Sequence, residues 1–517
     1  MKNGLLLLTK FIEKYIIVVF VVIFLAMSLA YEYHKYSFYR PQSIHAWRQT
    51  DCASQAYNYY KYDKNFFKPE IFLQCSDNFT TGYCAEEFPL IFYTIGILYS
   101  IFGFHEYIYR IFSIVLFFIG LLYLYKTTLK LINDKFWSLF LTLVLFTSPV
   151  MVYYANNFVG NIQAFSITLV GWFFFINFYQ NNKLKHFILA VSFFTLAALL
   201  KISELFSLIT LAGLLFLEIT RMVRFKENQD IFSKKILSAL VLFLAFLTVA
   251  SWYVYAHYYN QIHDQHYYIF KTGFIFSLTK EYIYSTWLEI RKIHFYSYYH
   301  SSVLVLLAVS LLWNLINIKK ANRLLVAITV IIFIGFVLYV LLFFEYFKDH
   351  DYYLISLYIL PIFSFITSFD ILQKKYNIKQ SVVLKFLITL YFIFLVHYAS
   401  KKIYERYYGW ENSVYKQYEN LYDIEPYLTK IGVKDTDKVI CIPDNTPNIS
   451  LYLMLRKGYT NFLGANDRVI PLGIEKGAKY LIIYDEKLLT DEFIQKYTHR
   501  KIGYYKGVSI FKLDSIH

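Results

Sequence analysis

Charge is scarce in this chain. Only 17% of its 517 residues are Asp, Glu, Lys or Arg, 57% are hydrophobic, and the mean hydropathy is +0.41; soluble domains carry about 25% charge. That shortage excludes a disordered chain and argues against an ordinary soluble enzyme. Cysteine is scarce as well. Cys52, Cys75, Cys84 and Cys441 are too few for a disulfide scaffold, and their spacing matches no zinc site. With 18 Gly and 9 Pro the chain is not collagen-like, and it shows no internal repeat or low-complexity linker. What remains is a polytopic membrane protein.

The formal net charge of +15 would suit a nucleic-acid partner, but its distribution does not. Residues 402–517 are nearly balanced, with 17 Lys/Arg against 15 Asp/Glu. The excess lies in short clusters between apolar runs: Lys2/Lys10/Lys14, Lys126/Lys130/Lys135, Lys183/Lys185, Arg221/Arg224/Lys226/Lys234/Lys235, Lys319/Lys320/Arg323 and Lys374/Lys375/Lys379. Cytoplasmic loops look like this, so no nucleic acid is expected. The 52 Tyr and 51 Phe are a compositional bias rather than a cofactor box, with some serving as interfacial belts.

Two stretches set the threading. Residues 136–182 hold no charged side chain, yet basic clusters flank both ends. As one helix they would be about 70 Å long, twice what a bilayer needs. They must form a hairpin with Tyr153–Asn161 at its tip. Residues 186–220 behave likewise, broken only around Lys201-Ile-Ser-Glu204, and lift Lys201 to the outer surface. The expected architecture is mainly α, a polytopic transmembrane helical bundle of about 11 spans. These fall near 12–31, 106–125, 136–154, 160–180, 186–200, 204–220, 236–256, 301–317, 324–344, 352–370 and 383–400. The amino terminus is expected inside. The first span, with its apolar run Tyr15–Ala30, reads as an uncleaved anchor.

The expected domains are a transmembrane domain, 1–401, and a small extracytoplasmic α/β domain, 402–517. Buried strands are expected at Val439–Pro443, Tyr480–Tyr484 and Val508–Lys512, between helical segments near 414–431, 448–457 and 488–497. Residues 32–105 form a long first outer loop, and 258–300 another. Ile91–Phe102 is too short to span and is expected along the outer interface. An outside location permits disulfides, and Cys75 with Cys84 is the natural pair.

The first outer loop contains Trp47-Arg-Gln-Thr-Asp51 and Glu87-Phe-Pro-Leu90, then Ile101-Phe-Gly-Phe-His-Glu106 through Arg110. Ser148-Pro149 with Tyr153-Tyr154, Leu200-Lys201 and His350-Asp-Tyr-Tyr353 follow. In these motifs, in order over residues 1–370, the sequence resembles the GT-C membrane glycosyltransferases. The branch is the bacterial one related to protein O-mannosyltransferases and the lipid A aminoarabinose transferase. The resemblance implies transfer of a sugar from a polyprenyl-phosphate donor, with inversion, on the outer face of a bacterial cytoplasmic (inner) membrane. The acceptor (lipid, glycan or protein) is left open, and so is the sugar.

Residue by residue, the resemblance makes Asp51 the general base for a hydroxyl nucleophile. Glu87 takes the second acidic position, facing hydroxyls or a metal. The leaving phosphate calls for cations. Arg48, one helical turn from Asp51, and Lys201, His350 and Arg110 are the candidates. His45, Trp47, Asp351 and Tyr352 are candidate substrate contacts. A divalent metal ion is a candidate cofactor, and His257 with His263-Asp264-Gln265-His266 is its one sequence cluster. The chain departs from the family in having Asn157-Phe-Val-Gly-Asn161, with no acid, at its second hairpin tip. Glu87-Phe-Pro-Leu90 also lacks the basic residue of the aminoarabinose transferases, which speaks against that sugar. Rival classes are a polysaccharide polymerase or ligase, a lipid-linked sugar transporter, and an envelope scaffold.

Overall fold

A computed structural model describes residues 15–227, 229–268, 273–409 and 412–514. Lys2, Lys10, Lys14 and the start of the first expected span lie outside them. Among the described residues, seven helical stretches are long and apolar enough to cross a membrane. They are Glu106–Ile132, Asn161–Asn181, Ile202–Ile219, Lys235–Ile262, Arg323–Lys348, Asp351–Lys375 and the stretch opening at Val382. Two bent helix pairs raise the number to nine if each is one span, and Ile16–Ala30, Leu90–Phe102 and Leu184–Leu200 are shorter apolar helices. Each expected span overlaps one of these helices.

Two local features correct the expected spans. The single span expected at 136–154 is a pair, Lys135–Thr147 and Pro149–Ala155, bent by 78°. Pro149 has no N–H to continue the helix, and Ser148 starts a new one by accepting from Met151 N at 3.3 Å. The second outer loop is largely helical: Lys280–Tyr298 meets Ser301–Ile316 at 92°. There His300 Nδ1 accepts from Ser302 N at 3.2 Å.

The chain divides into two compact units that interleave in sequence. The first comprises Met1–Ser37, Arg110–Ser251 and Lys271–Tyr404. Its helices pack through small residues: a Cβ on Gly120 would lie 2.8 Å from Ser166 Cα, so the two backbones touch. Buried hydroxyls and amides tie helices together, as where Ser310 meets Ser364 at 2.7 Å and Ser368 at 2.8 Å. Such pairs are how helices hold one another where lipid offers no competing hydrogen bond.

The second unit comprises Phe38–Tyr109, Trp252–Phe270 and Glu405–His517. Its centre is a five-stranded sheet, β1 Val439–Ile442, β2 Gly458–Thr460, β3 Tyr480–Ile483, β4 Lys501–Tyr505 and β5 Val508–Lys512, ordered β2-β1-β3-β5-β4. β1 is parallel to β2 and β3, and the β4–β5 hairpin adds antiparallel to β3. β1 and β3 are buried throughout, as an unbroken apolar strand should be. Residues 72–74 run along the outer edge of β2: Gly458 N donates to Phe72 O at 3.1 Å, and Gln74 N to Gly458 O at 2.9 Å. Gly458 is required there, because a Cβ would fall 1.8 Å from Val439 O.

All four cysteines are buried free thiols, so Cys75 and Cys84 are not bridged. The register explains it. Cys84 N donates to Pro69 O at 3.1 Å, whereas Cys75 O accepts from His266 N at 3.1 Å, so the two residues are not opposite one another.

Candidate active site

Asp51 lies in the second turn of the helix Ala46–Lys61, a 16-residue segment nearly all buried on the Gln49–Tyr59 stretch. Helical spacing puts Arg48 one turn earlier on the same face, and its guanidinium stands 4.0 Å from Asp51 Oδ2. The helix packs against Leu90–Phe102, where Gly96 allows contact: a Cβ there would sit 2.7 Å from Tyr59 Cβ. Pro89 opens that second helix and sets the exit of the Glu86-Glu87 segment.

Glu86 and Glu87 converge on Arg48, at 2.8 and 2.7 Å from its Nη2. Their backbone is pinned from the Lys235–Ile262 helix. Asn260 brackets Ala85, with Nδ2 donating to its O and Oδ1 accepting from its N, both at 2.8 Å. Trp252 Nε1 donates to Glu86 O at 3.2 Å. Arg48 also donates to Tyr268 OH at 3.1 Å and lies over that ring. Burial works against its charge, but Glu86 and Glu87 more than offset this and hold the guanidinium well above its ordinary value.

Asp51 itself is 0% exposed. Its Oδ1 accepts from Asn448 Nδ2 at 2.6 Å, and its Oδ2 accepts from the Tyr267 hydroxyl. Tyr267 OH in turn accepts from Trp47 Nε1 at 2.5 Å, and both rings pack edge-on against Phe462. Gln265 holds this turn, its Oε1 accepting from Tyr267 N and Tyr268 N at 2.8 Å each. Burial pushes the Asp51 carboxyl up to about 6, against the lowering pull of Arg48, Tyr267 and Asn448. A carboxylate with that value is ionised at neutral pH yet basic enough to take a proton.

Tyr267, Tyr268, Asn448 and Glu86 are residues that the sequence reading missed. Asn448 lies 397 positions from Asp51, and Tyr267 lies 216. A single hydrogen bond at that separation leaves no periodic or motif signal. Glu86 was visible beside Glu87 but indistinguishable from a solvated loop acid.

The remaining candidates fall elsewhere. His45 is the left-handed residue, φ +58°, that precedes the Asp51 helix. Arg110, Lys201, His350, Asp351 and Tyr352 belong to the other compact unit. There Arg110, 0% exposed, donates to Asn156 O and lies 4.5 Å from the Phe158 ring centre, at the tip of the second hairpin. Lys201 Nζ stands 6.0 Å from the Tyr353 ring centre, and the His350 ring stacks on the same Tyr353 at 4.8 Å. Asp351 accepts from Tyr154 OH at 2.6 Å, and Tyr352 packs edge-on against Tyr154. Glu204, beside Lys201 in sequence, accepts from Thr168 Oγ1 at 2.6 Å.

The histidine cluster is not gathered. His263 pairs with Asp77 at 2.8 Å, and His266 stacks on Phe79. Among the described residues no group of three or more His, Cys, Asp or Glu side chains is arranged to hold a metal ion.

Residues 86–253 match the family described as dolichyl-phosphate-mannose-protein mannosyltransferase. No curated protein sequence matches the chain. The fold is similar to that of ArnT from Cupriavidus metallidurans in the apo state, with a TM-score of 0.58, 10% identity and coverage of 96% of this chain and 98% of that one. ArnT bound to undecaprenyl phosphate gives a TM-score of 0.53 at 10% identity, covering 95% and 97%. The archaeal oligosaccharyltransferase AglB from Archaeoglobus fulgidus, in complex with an inhibitory peptide and a dolichol-phosphate, gives 0.53 at 11% identity, covering 93% and 71%. The resemblance read from the first-loop motifs is borne out at the level of the GT-C fold and the mannosyltransferase-like region.

Proposed function

We propose that this chain, a relative of the GT-C membrane glycosyltransferases, transfers a sugar from a polyprenyl-phosphate donor to an acceptor hydroxyl on the extracytoplasmic face, with inversion. The observation that carries the reading is Asp51: a wholly buried carboxylate, raised to about 6, whose Oδ2 already receives a hydroxyl proton donor in Tyr267. That hydroxyl marks where an acceptor O–H would sit. In the reaction the acceptor displaces Tyr267 and gives its proton to Oδ2. Its oxygen attacks the anomeric carbon, and the bond from that carbon to the phosphate oxygen breaks on the opposite face. Polyprenyl phosphate leaves with the bonding pair.

Arg48 keeps Asp51, Glu86 and Glu87 from accumulating negative charge and orients Glu87 toward sugar or acceptor hydroxyls. For the donor phosphate the candidates in one unit are Lys201 and His350, grouped around Tyr353, with Arg110; Arg48 is the candidate cation of the other unit. His45 and Trp47 in the one unit, and Asp351 and Tyr352 in the other, are the proposed substrate contacts. Relatives of the same fold are known with undecaprenyl phosphate and with dolichol-phosphate bound, which supports a lipid-phosphate donor here. The same reading takes about eleven spans in a bacterial inner membrane, the amino terminus inside and residues 402–517 outside.

The test is donor turnover in nanodiscs, with polyprenyl-phosphate sugars, an envelope acceptor extract and mass spectrometry of the lipid. Wild type should release polyprenyl phosphate, and Asp51→Asn should lose at least about 100-fold. Undiminished release by Asp51→Asn refutes the base assignment. A wild type that consumes no donor refutes the transferase reading.

A further inference from the structure

Asn448 is wholly buried and comes from the carboxy-terminal segment, at the start of the helix Ile449–Met454. Its side chain makes no cap for that helix. Instead Oδ1 accepts from two backbone donors of the first outer loop, Phe72 N at 3.1 Å and Leu73 N at 3.0 Å. An amide whose oxygen faces two N–H groups has only one sensible orientation, and that orientation aims Nδ2 at Asp51 Oδ1, 2.6 Å away. The carboxylate is thereby divided. One oxygen is fixed by the amide, and the other, Oδ2, is left toward the Tyr267 hydroxyl and the Arg48 guanidinium.

We propose that Asn448 is the positioning residue of the general base, orienting the Asp51 carboxylate so that Oδ2 alone receives the acceptor proton and holding it in its ionised form. The assignment rests on the transferase reading for the word base, but the hydrogen bond acts on Asp51 whatever the substrate. It also gives the carboxy-terminal segment a part in the chemistry. Among the described residues, the titratable and charged groups that act on Asp51 include Arg48 on its own helix, Tyr267 and Tyr268 on the Gln265 turn, Glu86, with Glu87 beyond Arg48, and the thiols of Cys75 and Cys84. Among the causes acting on Asp51, the Asn448 bond lowers its pKa, as do Arg48 and Tyr267.

Asn448→Asp separates position from structure. Ionised, it keeps an oxygen for Phe72 N and Leu73 N but cannot donate to Asp51, and its own charge opposes that of Asp51. Asn448→Leu removes both functions without adding charge. Full-length protein in nanodiscs is treated with a hydrophobic carbodiimide, which reacts with the protonated carboxyl. Modification of Asp51 is followed against pH by mass spectrometry, beside a pH–rate profile.

The wild-type midpoint should lie near 6. Both variants should move it upward by about one pH unit, and kcat should fall roughly ten- to a hundredfold while the donor KM stays within about twofold. A midpoint unmoved in either folded variant overturns the proposal, and so does an unchanged acid limb of the rate profile. Because the labelling reads Asp51 directly, a wild type without donor turnover would remove the transferase reading and leave this measurement standing.

Discussion

Arg48 and Glu87 meet at 2.7 Å, and the Glu87 side chain at that contact is only 6% exposed. Such a pair is largely removed from water, so cutting one partner leaves the other charged and unsolvated. Arg48→Met should therefore destabilise the second unit by about 3 kcal/mol. It should also raise the Asp51 pKa, since Arg48 is the largest of the causes that lower it. Glu87→Gln alone should cost less, because Glu86 still reaches Arg48 at 2.8 Å. The double variant should lose less than the sum of the two, a coupling readable as Tm in detergent. Additive losses would mean that the pair is not energetically joined.

The pH dependence of turnover follows from the same group. Below about 6, Asp51 is mostly protonated and cannot take the acceptor's proton. Turnover should fall ~tenfold per pH unit on the acid side and level off above about 7. An acid limb centred near the ordinary carboxylate value of about 4 would mean that the base is a solvated carboxylate.

Stability moves in the opposite sense. The folded pKa of Asp51, about 6, lies above its unfolded value. The folded state thus binds the proton more tightly, and stability is lost as pH rises from about 4 to about 6. Removing the charge with Asp51→Asn should be more favourable at pH 8 than at pH 4, by up to about 3 kcal/mol. Scanning calorimetry of both proteins at the two pH values checks this, and a Tm difference that does not grow with pH refutes it.

Much of this arrangement was legible in the sequence, and the illegible part has a physical pattern. Spans announce themselves because lipid demands long uncharged helices, and the 78° bend sits at the visible Ser148-Pro149 step. Asp51 and Arg48 were readable because helical spacing is local. Asn448 and Tyr267 were not, since what they do depends on chain crossings no pattern encodes. Two strands were missed for a related reason. β2 is three residues long and β4 has no buried residue, so neither carries the apolar run that marked β1, β3 and β5.

The thiols offer a check on the first loop. Cys52, Cys75, Cys84 and Cys441 are all free and buried. A maleimide reagent should label none of them in the folded protein in nanodiscs and all four after denaturation without reductant. Two labels after denaturation would place a disulfide in the loop and contradict the register that sets Cys84 against Pro69.

Lys201 separates donor binding from chemistry. Its ammonium stands beside Tyr353, on which His350 also stacks, so cation and ring attract one another there. If it receives the donor phosphate, Lys201→Met should raise the donor KM roughly ten- to a hundredfold, the worth of one charge-assisted hydrogen bond. Lys201→Arg should recover part of that, because the charge is kept on a different geometry. The Asp51 labelling midpoint should not move in either variant, since Lys201 is absent from the causes that set it. Unchanged donor KM in Lys201→Met would refute the phosphate contact and leave the general-base assignment of Asp51 untouched.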